Sequence, residues 1–519
     1  MSCWFVGGMG VFCVLPFMAI NQLKAGAFLS YISIGLNNIV GLLYTPYMLR
    51  MLGQNEYGLY SLVASVVAYL TILDLGFANA IVRYTAKFRA DGKVKEQYEM
   101  FGMFLVLYSF IGIVAFSIGL GIYANVDHLF DMSMTAKDLE KIRVMMLLMC
   151  FNLAFTFPMS IWGAVITAYE NFVFQKLINI VRIVLNPLVM VVLLSVGYKA
   201  VAMVVVTTLF NVLTLSVNAW YCFYRIRIKV CFGHFRWGFL REISVYSFWI
   251  FLDSIVSHFY SSVGQIVLGI YRGATTVAIY ALAIQLKYLF TSFSTALNSV
   301  LLPKIMALNT KDERDKEISD LFIRVGRLQY FVMSFILVGF IIFGKEFIIL
   351  WGGRDYVDTY YISMIIMVPY LFNLISNVGI VVLQAKNKVK YRSISLIIGS
   401  LIGLALIFPF TSRFGIYGCA CAVSVSIFLS NVLASNMIFF WIAKIDVIRY
   451  WKEIVCMSWL PVLALVVCLI LKLYIPIITA LDLCVYIILF SLVYVPINII
   501  VNMNSSEKNI LVSFIKKIK

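Results

Sequence analysis

Residues Lys24–Lys93 read KAGAFLSYISIGLNNIVGLLYTPYMLRMLGQNEYGLYSLVASVVAYLTILDLGFANAIVRYTAKFRADGK. Two apolar runs stand out, 26–49 and 57–82. Each reaches the roughly 20 residues that carry a helix across the hydrocarbon core of a bilayer. Only the short stretch Arg50 to Glu56 separates them, and the second run ends in Arg83, Lys87, Arg89, Lys93 and Lys95. A segment that crosses, turns tightly and crosses back toward a basic cluster is the unit of a polytopic membrane protein.

Further runs of spanning length follow at about 98–124, 143–168, 172–195, 200–224, 243–270, 276–302, 322–344, 360–384, 393–412, 416–441, 453–474 and 477–502. Across 519 residues, 63% are hydrophobic and 13% charged, and the mean hydropathy is +0.97. Soluble domains hold about 45–50% apolar and about 25% charged residues, so no water-soluble core hides this much apolar surface. A transmembrane barrel would show segments of about ten residues alternating in and out, and the runs do not alternate. The expected fold is all-α and integral to the membrane, with about fourteen spanning helices.

The net charge of +17 does not indicate a nucleic-acid partner, because the basic residues sit in short loops rather than on a folded soluble face. With the N-terminus inside, 29 of the 41 Lys and Arg fall in cytoplasmic loops and 10 in outer loops. That bias puts both termini in the cytoplasm and requires an even number of helices. The two remaining cations, Arg182 and Lys287, lie within spanning runs. No C-x-x-C occurs among the ten cysteines, Cys419 and Cys421 read as small apolar residues of a helix, and His128, His234 and His258 are scattered. No metal site or cofactor is indicated. Residues 1–20 lack the basic start and cleavage site of a signal peptide; either they lie at the interface or the chain begins naturally at Met18, and the second is the expectation.

The two halves match faintly at an offset of about 216–221 residues. Gly53, Tyr60 and Leu62 fall against Gly273, Tyr280 and Leu282; Phe151-Asn152 against Phe372-Asn373; Gly163 against Gly379; Asn171 against Asn387; and Asn211-Val212-Leu213 against Asn431-Val432-Leu433. Six helices per copy is an even number, so the copies are parallel repeats related by an axis along the membrane normal. The expected organisation is an N-terminal extension (1–25), a first six-helix lobe (26–225), a cytoplasmic linker (226–242), a second lobe (243–442), and two added helices with a basic cytoplasmic tail (443–519).

Leu52-Gly53, Tyr57-Gly58-Leu59-Tyr60, and Asp74-Leu75-Gly76-Phe77 followed by Arg83 are the motifs by which about 70 residues resemble the polysaccharide-transporter family of the multidrug/oligosaccharidyl-lipid/polysaccharide exporter superfamily. The helix count and two lobes fit that superfamily over nearly the whole chain. The resemblance implies a flippase that moves undecaprenyl-pyrophosphate-linked sugar repeats from the cytoplasmic to the outer leaflet of a bacterial inner membrane, for O-antigen, capsule or exopolysaccharide. It also implies work beside a polysaccharide polymerase and chain-length machinery.

Charges inside spanning helices are costly and are default candidates for a transport pathway. Arg182 and Lys287 supply the positive partners a pyrophosphate needs. For Arg182 the alternative is snorkelling toward the interface near Lys176; for Lys287 it is an ion pair with a carboxylate. Asp253 and the Asn37-Asn38 pair put polar groups near mid-depth in the first helix of each half, where a cavity lining is the simplest account. Asp253 and Asp74 are the candidates for a coupling proton or sodium ion; helix packing is the alternative for both, at an Asp-Leu-Gly turn in the case of Asp74. Tyr57 to Tyr60 reads as an interfacial belt with close helix packing.

No P-loop, nucleotide cradle or Ser/His/Asp set is present, so energy comes from an ion gradient, the membrane potential or the substrate gradient. A cation-coupled multidrug exporter would favour carboxylates in the cleft. A membrane polymerase would need a sizeable catalytic outer loop, and the longest outer loop, about Asn125–Ile142, is short.

Overall fold

The computed structural model describes residues 22–131, 133–233, 237–308, 315–386, 388–474, 479–504 and 507–508; the proposed start at Met18 falls outside them. Long apolar runs with few breakers fold as helices because, in lipid, only internal hydrogen bonding satisfies the backbone. The order is α1 (Gln22–Leu70), α2 (Phe77–Ala90), α3 (Val94–Ala124), the short α4 (Val126–Phe130), α5 (Ala136–Ala168), α6 (Phe172–Ser195), α7 (Ala200–Tyr224), α8 (Trp237–Arg272) and α9 (Ala274–Leu308). There follow α10 (Asp315–Trp351), α11 (Asp358–Ile375), α12 (Val378–Ala385), α13 (Val389–Ile427), α14 (Ser435–Trp441), α15 (Val447–Tyr474) and α16 (Ala480–Asn502). Among the described residues there is no β-strand.

Among the described residues, eleven stretches are long and apolar enough to span. Two of these, Ala25–Ala90 and Val389–Trp441, fold at Gly53 and Gly415 and hold two crossings each, and α8 adds another, which gives the fourteen the sequence predicts. Gly53 (φ 76°) and Gly273 (φ 82°), aligned by the internal repeat, both adopt the left-handed backbone that only glycine enters at little cost. They turn the chain between the first and second helices of each half.

Two runs that read as continuous are broken. The run 57–82 is interrupted by a 3-10 turn at Thr71–Asp74 and by left-handed Leu75 and Gly76. There the Asp74 carboxylate accepts a hydrogen bond from Tyr108 Oη at 2.6 Å and another from the backbone N–H of Gly76, the second a local alternative to helical pairing. The run 360–384 breaks between α11 and α12, where Ser376 Oγ bonds back to the Phe372 and Asn373 carbonyls. A seven-residue π-helical turn, Phe428–Ala434, separates α13 from α14.

Aromatic and aliphatic side chains such as Phe101, Phe104, Tyr108, Met145, Tyr280 and Phe439 fill the interior, while Phe110, Ile113, Leu188, Val192, Val455 and Leu473 lie exposed. An exposed apolar girdle of this extent is the surface a bilayer covers.

The halves meet along a seam that begins beside the two turning glycines. Gly58 packs directly on the Ala274 carbonyl at the start of α9, leaving no room for a side chain. Ser133 Oγ donates to the Gly269 carbonyl at 2.6 Å, Arg50 Nη2 to Leu350 O at 3.2 Å, Trp351 Nε1 to Leu42 O at 2.7 Å and Gln54 Nε2 to Asp355 O at 3.1 Å. Deeper in, Ser65 bonds to Gln265, Gln285 Nε2 to Thr45 Oγ1 at 2.7 Å, and Thr71 Oγ1 lies 3.2 Å from His258 Nε2. Tyr57 is buried in this region rather than standing in an interfacial belt.

The last two spanning helices pack on α10. Near one end of α10, buried Arg327 donates to Glu453 at 2.6 Å, to Glu507 at 2.7 Å and to the Asn502 carbonyl at 2.7 Å. Near the other end, Lys472 pairs with Glu346 at 2.6 Å.

Candidate functional site

The four charges singled out from the sequence, Asp74, Arg182, Asp253 and Lys287, occupy different places in the fold. Lys287 lies about 20 Å along α9 from Ala274, and it is 3% exposed. Its Nζ sits 3.9 Å from the centroid of the Tyr288 ring and 5.2 Å from that of Tyr370. No carboxylate among the described residues pairs with it. An ammonium at this depth thus has aromatic faces, not a counter-ion, to offset its lost hydration.

Arg182 lies about 15 Å along α6 from Phe172. Its Nη1 donates to Asn211 Oδ1 at 3.3 Å, and Asn211 is oriented by donating to Asn152 Oδ1 at 2.8 Å and Thr156 Oγ1 at 2.7 Å. The guanidinium is half-buried, and no carboxylate among the described residues pairs with it. One helical turn on, Asn186 Oδ1 is buried with no hydrogen-bond partner among the described residues, as are Thr208 Oγ1 and Tyr44 Oη in the same half. Buried polar atoms left unpaired are uncommon, and they occur in the second half too, at Tyr356 Oη and Ser363 Oγ.

Asp74 is tied to Tyr108 at the helix break, as described above. The Asp253 side chain lies outside the described residues; its backbone is part of α8. Asn38 Nδ2 donates to Ser292 Oγ on α9 at 3.2 Å, whereas Asn37 is exposed. Asn38 and Lys287 therefore meet the same helix on different faces. Ser292 and Gln285 look toward α1, while Lys287, two residues past Gln285, is turned about 200° from it. Arg182 belongs to a separate network in the first half.

Asn152, Asn211, Tyr288 and Tyr370 complete these surroundings. The signal for the asparagines was present, since the repeat aligns both with polar counterparts in the second half. For the tyrosines there was none, because a tyrosine next to a lysine in an apolar run reads as ordinary packing. A further feature is an apolar groove of about 450 Å³ between α10, α15 and α16, lined by Leu460, Val467, Phe490 and Ile497, with Lys472 on its wall.

A bundle of about fourteen helices, with polar groups and two cations that no carboxylate among the described residues neutralises, is the architecture of a membrane transporter. The chain belongs to the polysaccharide biosynthesis protein family, whose model matches residues 23–309. It is similar to the "Putative O-antigen transporter" of Shigella flexneri, 21% identical over 399 residues that make up 75% of this chain and 90% of that one. Its fold resembles that of the lipid II flippase MurJ in an inward closed conformation, with a TM-score of 0.71 at 16% identity, covering 92% of this chain and 98% of that one. An inward-facing multidrug resistance MATE family transporter of the MOP superfamily follows at 0.61 and 14% identity, over 81% of this chain and 96% of that one.

Proposed function

We propose that the protein is a flippase that carries an undecaprenyl-pyrophosphate-linked oligosaccharide from the cytoplasmic to the outer leaflet of a bacterial inner membrane. The observation that carries this reading is the pair of deep cations, Arg182 and Lys287, one in each half and neither neutralised by a carboxylate among the described residues. Buried charge without a partner is expensive, and an anionic substrate is the partner that removes the cost. A cationic drug would instead meet repulsion at both residues. The groove along α15 and α16 offers an isoprenoid chain an apolar path, while Asn37 and Asn38 belong to the polar lining that admits sugar.

In this reading both termini are cytoplasmic, the halves rock about the seam, and the end marked by Gly53 and Gly273 faces outward. Asp253, with Asp74 as the second candidate, takes a proton or sodium ion that drives the cycle, and the product passes to a polymerase with its chain-length machinery. The decisive experiment is deletion of the gene. Lipid-linked repeats should then accumulate on the cytoplasmic leaflet, and their normal arrival at the outer leaflet would refute the assignment. Labelling of Gly352→Cys from outside and Lys388→Cys from inside tests the orientation, which the opposite pattern would overturn.

A further inference from the structure

Tyr288 holds a position that the transport reading does not explain. Gln285, Tyr288 and Ser292 follow one another at intervals of three and four residues, so they form a single stripe on α9. The outer two are hydrogen-bonded to Thr45 and Asn38 of α1, which fixes that stripe toward the opposite half. Between those two ties α1 carries Gly41, around which a side chain would meet no atom within 4 Å. The Tyr288 ring, 51% exposed, thus stands at the seam in a place with room to turn. Behind it lies the Lys287 ammonium, 3% exposed and closer to this ring than to that of half-buried Tyr370.

We propose that Tyr288 is a positioning residue that shields the Lys287 ammonium beneath its ring in the empty transporter and turns aside when the phosphate group of a lipid-linked substrate arrives. The inference rests on the anionic-lipid reading above and adds the element that governs access to the charge. A cation under an aromatic face is partly compensated, which lets the charge wait in a nonpolar place without a carboxylate. A phosphate oxygen offers the ammonium a charge-assisted hydrogen bond, stronger than the ring, so the exchange proceeds on arrival. On departure the ring reclaims the ammonium and competes with rebinding. A carboxylate in the same place would hold the lysine too firmly to be displaced and would repel the substrate.

The test uses the full-length protein in nanodiscs and two probes of equal chain length, undecaprenyl pyrophosphate and undecaprenol, and reads the ratio of their affinities. Wild type should prefer the anionic probe. Tyr288→Leu removes the competing face and should raise that preference by about 2- to 30-fold, while Tyr288→Phe, which keeps the ring, should restore the wild-type ratio. Tyr288→Met serves as a second ring-free variant if the Leu protein is recovered poorly. A ring-free variant whose preference equals or falls below that of wild type overturns the shield and leaves the anionic-lipid reading standing. No preference in wild type itself overturns both.

Discussion

Gly58→Ala should force the seam open at the end where the halves are most tightly joined. A Cβ built on Gly58 would lie 2.5 Å from the Ala274 carbonyl carbon and 3.1 Å from its Cα, with the carbonyl oxygen nearer still. All three are backbone atoms at the start of α9 and cannot rotate away. Restoring ordinary contact with the carbonyl oxygen, the nearest of the three, requires the two helices to part by about 1.5 Å. Overpacking of this kind costs about 1–3 kcal/mol, and because the strain exists only while the seam is closed, it shifts the closed–open balance by about 5- to 150-fold. The assay is labelling of Ser65→Cys, a buried seam position bonded to Gln265, by an impermeant maleimide in a background freed of native cysteines. Gly121→Ala is the control, since a side chain there meets nothing within 4 Å. Labelling that rises in the Gly58→Ala protein and not in the control is the expected result; equal labelling in both, with equal thermal stability, would refute the packing argument.

Lys287→Ala should abolish export while the protein still reaches the membrane, and Lys287→Arg should keep part of it, because charge survives in a different geometry; surface polysaccharide staining reads both. Arg327→Gln leaves the Glu453 and Glu507 carboxylates without their cation, so a loss of about 3–5 kcal/mol in unfolding stability is expected, and an unchanged melting temperature would contradict it. Desolvation acts to raise the Asp138 pKa, but hydrogen bonds from Thr135 and Asn55 and the charge of Lys141 outweigh it and hold the carboxyl below its ordinary 3.8. A lowered folded pKa stabilises above the unfolded value and is lost as pH falls through the folded one, so the stability advantage over Asp138→Asn should fade only below about pH 3.8. Asp253→Asn should remove the response of reconstituted transport to an imposed proton or sodium gradient; an equal response in both proteins would return Asp253 to helix packing.

The crossings were legible because spanning length and hydropathy are set by the bilayer, not by the neighbours of each helix. The turn at Gly53 and its counterpart at Gly273 were legible too, through the repeat that aligns them. What the sequence hid were breaks within apolar runs. Asp74-Leu75-Gly76 read as a turn, but nothing in TILDLG says that it ends the helix in a 3-10 turn held by Tyr108, more than thirty residues away. Lipid-facing and interior residues are both apolar, so the periodicity that sorts inside from outside in a soluble helix is weak. For the same reason the sequence could single out Arg182 and Lys287 as unusual but could not say what surrounds them. The asparagine that holds Arg182 comes from tertiary packing, and that the adjacent Tyr288 ring folds over Lys287 depends on side-chain conformations the sequence does not show.

The ties between α10 and α15 deserve a mechanical reading. Arg327 meets Glu453 and Glu346 meets Lys472, and the same separation in sequence divides the partners of each pair, so the two helices run side by side without slippage. The pairs stand about 28 Å apart along the axis, close to the thickness of the hydrocarbon core, which is about 30 Å. A beam fastened at one point can pivot; fastened at two points this far apart, it can neither swing nor slide. α15 is thereby made one piece with the second half, and α16 follows through the Asn502 carbonyl and the Glu507 carboxylate that Arg327 also grips. In the rocking motion proposed above, six crossings would turn against eight, and the heavier body would take the smaller share of the displacement.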